Sequence, residues 1–439
     1  MSIIQRVVPR FRVLEEEMAD RDSFYQLPKD VRDAYRLERL NALWLRAATQ
    51  TRYYADMARE HSLPLRFQSL EEFGSLVPAT SREAVRARPD AFKFPEGRRG
   101  KWMVTGGSTG VPVRVFWALS GHLESLRDQY WARMWWGVRA FDRQAMLWGH
   151  SHSFGHGFAA RYHKFMIPMI DRLRRRVRFN AYRLDADSLH EYYDAMVRFR
   201  PKSLYAYASA AHLLAVANRG RRPFPASVKV AFMAAEPVID LFRKSIREVF
   251  GCPCAGEYGS IECGMIAYEH PLGMYRIFER SVLVETVPRD TGYEILVTHL
   301  RDSGFPLLRY EIGDVTSEPL GHSVNGWDAL ADVSGRCYEV LRSPSGMVCY
   351  GGALTQIIKH LPDVALFAVH QKRDYSLTIR IQTCSGADIS AAHRRYVERS
   401  IGKILGEAVP VNVQHVTCME RSAAGKHRWI TTDLDFPAP

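Results

Sequence analysis

The stretch Lys101–Trp117, KWMVTGGSTGVPVRVFW, sets a run of small residues between two alternating, β-branched segments. The small residues are Gly106, Gly107, Ser108, Thr109 and Gly110. Consecutive glycines let backbone N–H groups approach an anion closely, and the hydroxyls of Thr105, Ser108 and Thr109 add donors for phosphate oxygens. The stretch therefore predicts a phosphate-binding turn between two strands, with an ordinary polar hairpin turn as the simpler alternative.

The same letters also fit G-x-S-x-G, the nucleophile elbow of serine hydrolases. That motif requires a strand, a sharp turn and then a helix. Here residues 111–115 alternate and are largely β-branched, which predicts a second strand instead. A serine hydrolase with Ser108 as its nucleophile is thus a weaker alternative, and the P-loop pattern G-x-x-x-x-G-K-[ST] is absent from the chain.

The pattern of apolar residues, and with it the predicted secondary structure, changes twice along the chain. Residues 1 to about 95 are predicted to be helical, because apolar residues recur there at three- and four-residue spacing. From about 100 to 335, short apolar strands such as VKVAFM alternate with helices such as LFRKSIREVF. We therefore predict an α/β fold: a large N-terminal domain (1–336) of mixed sheets flanked by helices, and a small mobile α+β C-terminal domain (337–439).

Composition narrows the class of protein. The chain has 439 residues, 46% of them hydrophobic and 25% charged, which excludes a disordered protein. Its formal net charge of +12 favours phosphates, nucleotides or an acidic protein as partners. The apolar start is interrupted at Arg6 and Pro9, no segment is long enough to span a membrane, and seven cysteines do not form a disulfide framework. We expect a cytoplasmic protein.

Polar clusters follow several of the predicted strands. AAEP (residues 234–237) ends the strand VKVAFM, at the edge where open α/β sheets bind ligands; its alternative is a strand-to-helix turn with a capping glutamate. GEYGSIECG (256–264) offers an aromatic ring that can pack on a base and a carboxylate that can hold Mg²⁺. YEIGD ends in Asp314, SGRCYEVL contains Arg336, and RSAAGKHRW contains Lys426.

In sequence order these pieces resemble the motifs of the adenylate-forming acyl ligases, which include acyl-CoA synthetases and carrier-loading adenylation domains. TGGSTGVP resembles the phosphate loop, YGSIE the tyrosine-glycine-threonine-glutamate motif, and YEIGD the ribose motif. GRCYEVL is similar to the hinge and AAGKHRW to the catalytic lysine motif. AAEP, the short length and the helical N-terminus are most similar to the phenylacetate-CoA ligase branch and its relatives in capsule biosynthesis.

The resemblance implies a reaction in which ATP and a carboxylic acid form an acyl-adenylate and pyrophosphate. The acyl group then passes to a thiol, with CoA ranked first; a carrier-protein phosphopantetheine and an amine or hydroxyl acceptor are alternatives. A catalytically weakened nucleotide-binding protein is a further alternative of another class. The implied cofactors are ATP, Mg²⁺ and CoA.

The resemblance also implies roles for individual residues. It assigns catalysis to Lys426 and Ser260, Mg²⁺ to Glu262, and the hinge to Tyr338, where relatives usually carry Asp or Lys. Nucleotide binding is assigned to Thr105, Gly106, Gly107, Ser108, Thr109, Gly110, Glu236, Pro237, Glu257, Tyr258, Gly259, Asp314 and Arg336. Substrate binding is assigned to Trp148, His150, His152, Phe154 and Gly155, whose aromatic members favour a cyclic or aromatic acid.

Two further features of the sequence allow more than one interpretation. Cys252, Cys254, Cys263 and His270 could mimic a zinc site, although their spacing is not that of structural zinc sites. DRLRRRVRF carries five arginines between Arg172 and Arg178, suited to CoA phosphates or an acidic carrier protein, or else to a solvated helix face. Nucleic-acid binding is disfavoured because no binding module accompanies the charge, and a homodimer is left open.

Overall fold

The computed structural model describes most of the chain. It covers residues 9–434 except 96, 98, 106–112, 149–168, 182, 290–291, 323–325, 334, 337–339, 346–347, 351–353, 355–356, 359, 362, 406 and 421–426. Contacts divide the chain into two compact units, each built from two segments. The first unit is Met1–Trp135 with Tyr258–Asp332, and the second unit is Trp136–Glu257 with Val333–Pro439.

The described elements follow one another in the order expected of a mixed α/β chain. The α-helices are α1 (Pro9–Gln26), α2 (Lys29–Gln50), α3 (Arg52–Glu60), α4 (Leu70–Leu76), α5 (Arg82–Ala87), α6 (Leu119–Trp135), α7 (Ala186–Phe199), α8 (Ala208–Ala217), α9 (Asp240–Phe250) and α10 (Ala391–Leu405). The strands are β1 (Gly100–Val104), β2 (Arg114–Ala118), β3 (Gln144–Trp148), β4 (Arg176–Asn180), β5 (Ser203–Tyr207), β6 (Val230–Ala234), β7 (Cys254–Ser260), β8 (Gly264–Glu269), β9 (Tyr275–Ile277), β10 (Val282–Arg289), β11 (Gly292–His299), β12 (Tyr310–Thr316), β13 (Gly321–His322), β14 (Asp328–Leu330), β15 (Gly335–Arg336), β16 (Val340–Arg342), β17 (Val348–Tyr350), β18 (Val364–Gln371), β19 (Leu377–Thr383), β20 (Val411–His415) and β21 (Ile430–Thr432).

In the first unit the predicted N-terminal helices α1–α5 are present and antiparallel strands follow them. The helices α3, α4 and α5 each begin at a serine or threonine whose side chain accepts the amide of the third residue along, as N-caps do. Strands β10, β11 and β12 form one antiparallel sheet, and β8, β9, β14 and β13 form an antiparallel ladder.

An arginine enclosed by aromatic rings anchors this unit. The guanidinium of Arg276, on β9, lies 3.2 Å from the ring centre of Trp327, 4.3 Å from Tyr25, 4.7 Å from Trp131 and 5.0 Å from Trp135. Burial lowers the pKa of Arg276 to about 10, so it remains charged at neutral pH. The cage therefore joins α1, α6 and β9 through cation–π contacts and apolar burial.

The second unit contains a parallel sheet in the order β7-β6-β5-β3-β4, with helices between successive strands. Helix α9 could be predicted from its own sequence, because Phe242, Ile246 and Phe250 recur at helical spacing and share its buried face. Gly251 then takes a left-handed conformation, with φ of 65°, and ends the helix as predicted.

The C-terminal residues of the second unit form the sheet β20-β19-β18-β21 with α10. Apolar residues of this sheet share one buried cluster with the helices of the parallel layer; for example, the ring centres of Phe242 and Trp429 are 5.4 Å apart. The predicted strands and helix after residue 337 are confirmed. The predicted fold class, mixed sheets flanked by helices with a C-terminal α+β part, is confirmed as well.

The predicted domain boundary stays a prediction. The chain passes between the two units after residues 135, 257 and 332, and only the last of these lies near residue 336. None of the described helices combines the length and the apolar composition needed to cross a bilayer.

Candidate functional site

The glycine-rich stretch lies between two antiparallel strands of the first unit. β1 pairs with β2, and Thr105 and Val113 close the ladder: the Thr105 amide donates to the Val113 carbonyl at 2.9 Å, and the Val113 amide donates to Thr105 Oγ1 at 2.8 Å. A strand follows the turn, not a helix, so the serine-hydrolase alternative is wrong. Gly106–Pro112, including Ser108 and Thr109, lie outside the described residues.

Tyr258 and Asp314 lie side by side in the same unit. The Tyr258 hydroxyl, at the end of β7, donates a hydrogen bond of 3.1 Å to Asp314 Oδ2 on β12. Tyr258 is buried and Asp314 is half-buried. Two motifs that are distant in the sequence are therefore adjacent, and a carboxylate is the kind of group that accepts hydrogen bonds from sugar hydroxyls.

The turn after Tyr258 is tight. A Cβ at Gly259 would collide with the carbonyl of Gly264, so only glycine fits there. Ser260 is half-buried, and its Oγ accepts a hydrogen bond of 2.9 Å from the Cys263 amide. The Ser260 hydroxyl is thus fixed in orientation by its own turn.

Glu262 forms a buried ion pair. Arg82 Nη2 lies 3.1 Å from Glu262 Oε1, and the two side chains are 6% and 3% exposed. Arg82 begins α5, and the residue two before it, Thr80, pairs with β12 by exchanging backbone hydrogen bonds with Arg309 and Glu311. The pairing with the YEIGD strand thus positions Arg82 against Glu262.

This ion pair bears on the predicted magnesium ligand. Mg²⁺ is usually held by one or two carboxylates together with substrate phosphates. The charge of Glu262 is already compensated by Arg82, and a cation bound to the same carboxylate would lie next to a guanidinium. The arrangement in this structure therefore does not fit Glu262 as an open ligand for Mg²⁺.

The second unit carries an aromatic and acidic cluster at the carboxyl end of its parallel strands. The ring of Trp148 lies 5.0 Å from that of Tyr205 and 4.2 Å from that of Tyr207. The Tyr205 hydroxyl donates 2.8 Å to Glu257 Oε1. Strand register pairs Tyr207 with Ala234 and Ala234 with Glu257, so these side chains share one face of the sheet.

Glu236 joins two segments at this same edge. Its Oε2 accepts from the Ser209 amide at the start of α8, and its Oε1 accepts from the His427 amide, both at 2.8 Å. The residue before it, Ala235, has a left-handed φ of 68°, which turns the chain sharply after β6. Glu236 therefore caps α8 rather than the helix that follows it, and Pro237 lies half-buried in the connection to α9.

The His427 contact locates the C-terminal motif. His427 is buried, and its Nε2 lies 2.7 Å from the Phe367 carbonyl of β18. Lys426 lies outside the described residues, but it is the residue before one whose amide binds Glu236. Glu236 of the AAEP turn and His427 of the AAGKHRW motif are therefore neighbours within the second unit.

Most of the other predicted site residues lie outside the part of the chain that the structure describes. His150, His152, Phe154, Gly155 and the hinge Tyr338 lie outside the described residues, and of Arg336 only the backbone, in β15, is described. Their roles stay predictions.

Sequence reasoning missed Arg82, Tyr205 and the amide of His427. Arg82 and Glu262 are remote in sequence, and neither local pattern signals the pair. Tyr205 lies in SLYAYA, which predicted a strand but not a function. The only available signal was its position near the carboxyl end of a parallel strand.

The cysteines do not build a metal centre in the part of the chain that the structure describes. No group of three or more His, Cys, Asp or Glu side chains is close enough there to hold an ion. Burial raises the pKa of Cys252 to about 12 and also raises the pKa of Cys263, which disfavours the thiolate that zinc requires.

Comparisons with known proteins agree with this architecture. No protein-family model matches the chain. Protein CapK of Staphylococcus aureus is 23% identical over 274 residues, which are 60% of this chain and 58% of CapK. The chain thus matches little more than half the length of that curated relative.

Two solved structures are similar to most of this chain. The 2-hydroxyisobutyryl-CoA ligase in its post-adenylation state, in complex with R3-HIB-AMP, superposes with a TM-score of 0.74 at 17% identity, covering 93% of this chain and 91% of the ligase. The anthranilate-CoA ligase AuaEII, in complex with anthranoyl-AMP, gives a TM-score of 0.53 at 16% identity over 74% of this chain and 64% of AuaEII. The chain therefore has the fold of the adenylate-forming CoA ligases.

Proposed function

We propose that the protein activates a carboxylic acid with ATP, releasing pyrophosphate and forming an acyl-adenylate, and then transfers the acyl group to a thiol. The observation that carries this proposal is the 2.8 Å hydrogen bond between the His427 amide and Glu236. It holds His427, the residue after Lys426 in the sequence, at the carboxyl edge of the parallel strands, where open α/β sheets bind their ligands.

The first half-reaction requires charge stabilisation more than covalent chemistry by the protein. A carboxylate oxygen of the acid attacks the α-phosphorus of ATP, and the bond from that phosphorus to the pyrophosphate oxygen breaks. Negative charge accumulates on the α-phosphate oxygens in the transition state. A positioned ammonium is an effective stabiliser of such charge, and we assign this role to Lys426.

The described residues supply binding and orientation. Asp314, held by the Tyr258 hydroxyl, accepts from the ribose hydroxyls. Ser260, fixed by its contact with the Cys263 amide, directs its hydroxyl hydrogen to the α-phosphate or the acid. In the second unit, Trp148 with Tyr205 and Tyr207 offers aromatic surface to the acyl group.

We propose CoA as the acceptor in the second half-reaction. The thiol sulfur attacks the acyl carbon, the thiol proton is lost, and AMP leaves with the bonding electron pair. The two structural relatives are CoA ligases in complex with an acyl-AMP, which supports this choice. A cyclic or aromatic acid is the preferred substrate class, because the described aromatic residues at the sheet edge suit a flat ring.

The proposal is tested by measuring pyrophosphate release with ATP and a panel of aromatic and aliphatic acids, with and without CoA. Lys426→Ala should reduce release by about a hundred- to a thousandfold, the usual cost of losing a transition-state donor. Lys403→Ala, an exposed lysine in the last turn of α10, is the matched control and should retain activity.

Glu236 provides a second variant within the same experiment. Glu236→Gln keeps one oxygen acceptor, whereas Glu236→Ala removes both contacts, so release should fall further in the alanine variant. Pyrophosphate release without formation of a CoA thioester would indicate that the acceptor is a carrier protein, an amine or a hydroxyl instead of CoA. If the protein bound ATP but released no pyrophosphate with any acid, it would be a catalytically weakened nucleotide-binding protein and the ligase proposal would be wrong.

A further inference from the structure

A cavity of about 750 Å³ in the second unit has a wall dominated by arginine. The arginines that line it are Arg143, Arg172, Arg175, Arg176, Arg178 and Arg198. Among the described residues, Asp171 is the one acid that lines the same cavity, so the six arginines and this acid give the described lining a net charge of +5. The arginine run seen in the sequence is therefore not a flat solvated helix face, because it folds around a concave space.

Part of this charge is used by the protein itself. Arg178 Nε pairs with Asp171 Oδ2 at 2.5 Å, and Arg143 Nη1 donates 3.3 Å to the Phe199 carbonyl at the end of α7. Among the residues that the structure describes, no carboxylate lies within ion-pair distance of Arg172, Arg175 or Arg198. The exposed charge of these three arginines is thus available to an anion.

The backbone holds this array in place. Arg175 has a left-handed φ of 52°, and its carbonyl accepts a 3.1 Å hydrogen bond from the Gln144 amide. The Arg174 amide donates 2.9 Å to the Ile170 carbonyl. The backbone of the turn before β4 is therefore fixed to the start of β3, which holds the Cα atoms of the arginines in place and reduces the backbone entropy lost on binding.

The cavity is distant from the proposed catalytic residues of this unit. Arg143 and Arg176 lie at the amino ends of β3 and β4, whereas Trp148 lies at the carboxyl end of β3. Four residue steps along a strand span about 13 Å. An anion bound here would thus occupy the opposite edge of the parallel sheet from the AAEP turn.

We propose that this cavity is a second anion site, which binds a small molecule carrying two or more phosphate groups. Guanidinium groups match phosphate geometry and form charge-assisted hydrogen bonds with it. The cavity volume falls in the range of about 300–1,000 Å³ typical of small-molecule pockets, which favours a compact ligand over an acidic protein surface. The site goes beyond the proposed ligase reaction, since none of its residues has a role there.

The test is calorimetric titration of the full chain with inorganic tripolyphosphate and, in a second arm, with adenosine 3′,5′-bisphosphate. Arg172→Gln/Arg198→Gln should weaken binding of the tighter of the two by about tenfold or more, because two charge-assisted contacts are lost. Arg395→Gln/Arg399→Gln, with the same change of net charge on exposed positions of α10, is the control and should leave the affinity unchanged.

Two results would overturn the proposal. Equal weakening in both double variants would mean that only the overall positive charge attracts the anion. Unchanged binding in Arg172→Gln/Arg198→Gln, or tighter binding of a polyglutamate peptide than of either phosphate compound, would mean that the cavity is not a phosphate site. Pyrophosphate release measured on the same variants keeps this result separate from the ligase proposal.

Discussion

At the scale of single residues, three buried ion pairs stand out in the first unit. Arg32 pairs with Glu279 at 2.8 Å, Arg36 with Asp328 at 2.8 Å, and Arg82 with Glu262 at 3.1 Å, and each side chain is at most 6% exposed. Removing one member of such a pair leaves a buried charge without compensation. The free energy of unfolding should therefore fall sharply when either member is removed alone, by more than the net attraction between the two charges.

The Arg82–Glu262 pair gives a stability prediction. Arg82→Ala should lower the free energy of unfolding by roughly 3–5 kcal/mol, the cost of breaking a buried ion pair. Arg82→Ala/Glu262→Ala should be less destabilised than the sum of its two single variants. Urea unfolding of all four proteins measures this, and additive losses would show that the two side chains are not energetically coupled.

The Tyr258–Asp314 contact gives a binding prediction. Tyr258→Phe removes the hydroxyl that orients Asp314, so the KM for ATP should rise by about tenfold, as expected when one partner of a charge-assisted hydrogen bond is lost. The variant Tyr293→Phe, at the start of β11, serves as the control. An unchanged KM in Tyr258→Phe would remove Asp314 from the nucleotide site.

At the scale of elements, the two helices α8 and α9 are joined by a buried polar pair. His212 Nδ1 lies 2.7 Å from Ser245 Oγ, and both residues are fully buried. Burial lowers the pKa of His212 to about 3, whereas a histidine in the unfolded chain titrates near 6.5. The native histidine therefore stays neutral where the unfolded one is protonated.

This difference predicts how stability changes with pH. Above pH 6.5 both states carry a neutral His212; as the pH falls toward 3, the unfolded chain gains a proton that the native state does not. The native state should then lose up to about 1.4 kcal/mol per pH unit from this residue. Urea unfolding of the wild type and His212→Gln between pH 7 and 4.5 should show a shallower slope for the variant, and parallel slopes would refute the assignment.

Helices and strands could be predicted from the sequence where the residues that determine them are close together along the chain. The apolar face of α9 and its glycine stop, or the alternating strand β20, need no knowledge of distant residues. The adjacency of Tyr258 and Asp314 was anticipated only through the resemblance of ordered motifs. The Arg82–Glu262 pair and the contact between Glu236 and His427 could not be predicted, since each joins segments that only the folded chain brings together.

The run of arginines from Arg172 to Arg178 is a second example of a feature whose structure could not be predicted from the sequence. Its composition indicated an anion as partner. The same amino-acid sequence, however, could form either an exposed helix face or the wall of a cavity. What distinguishes them is the chain reversal at Arg175 and the arrival of Arg143 and Arg198 from neighbouring elements.

At the scale of the whole molecule, the proposed two-step reaction requires the C-terminal part to change position about the predicted hinge. Tyr338→Pro should restrict that change because proline fixes φ. We expect pyrophosphate release to persist and thioester formation to fall at least about tenfold, measured by release and by CoA-ester detection on the same sample. Equal loss of both activities would show that residue 338 supports adenylation itself.

The interleaved chain path means that each unit takes its core from two segments. Apolar residues of β18 and β21 share one cluster with those of α8 and α9, so a cut near residue 336 would expose part of that cluster to water.

The arginine cage on β9 has a spectroscopic consequence. Of the nine tryptophans in the chain, Trp131, Trp135 and Trp327 surround Arg276, and all three belong to the first unit. Indole emission is sensitive to a neighbouring cation and to water, so loosening around β9 should change the emission of these three tryptophans. Trp429, next to β21, packs on Phe367 of β18 and should report on the C-terminal sheet instead. The intrinsic fluorescence of the protein should therefore respond to melting of either region, at tryptophans that belong to different units.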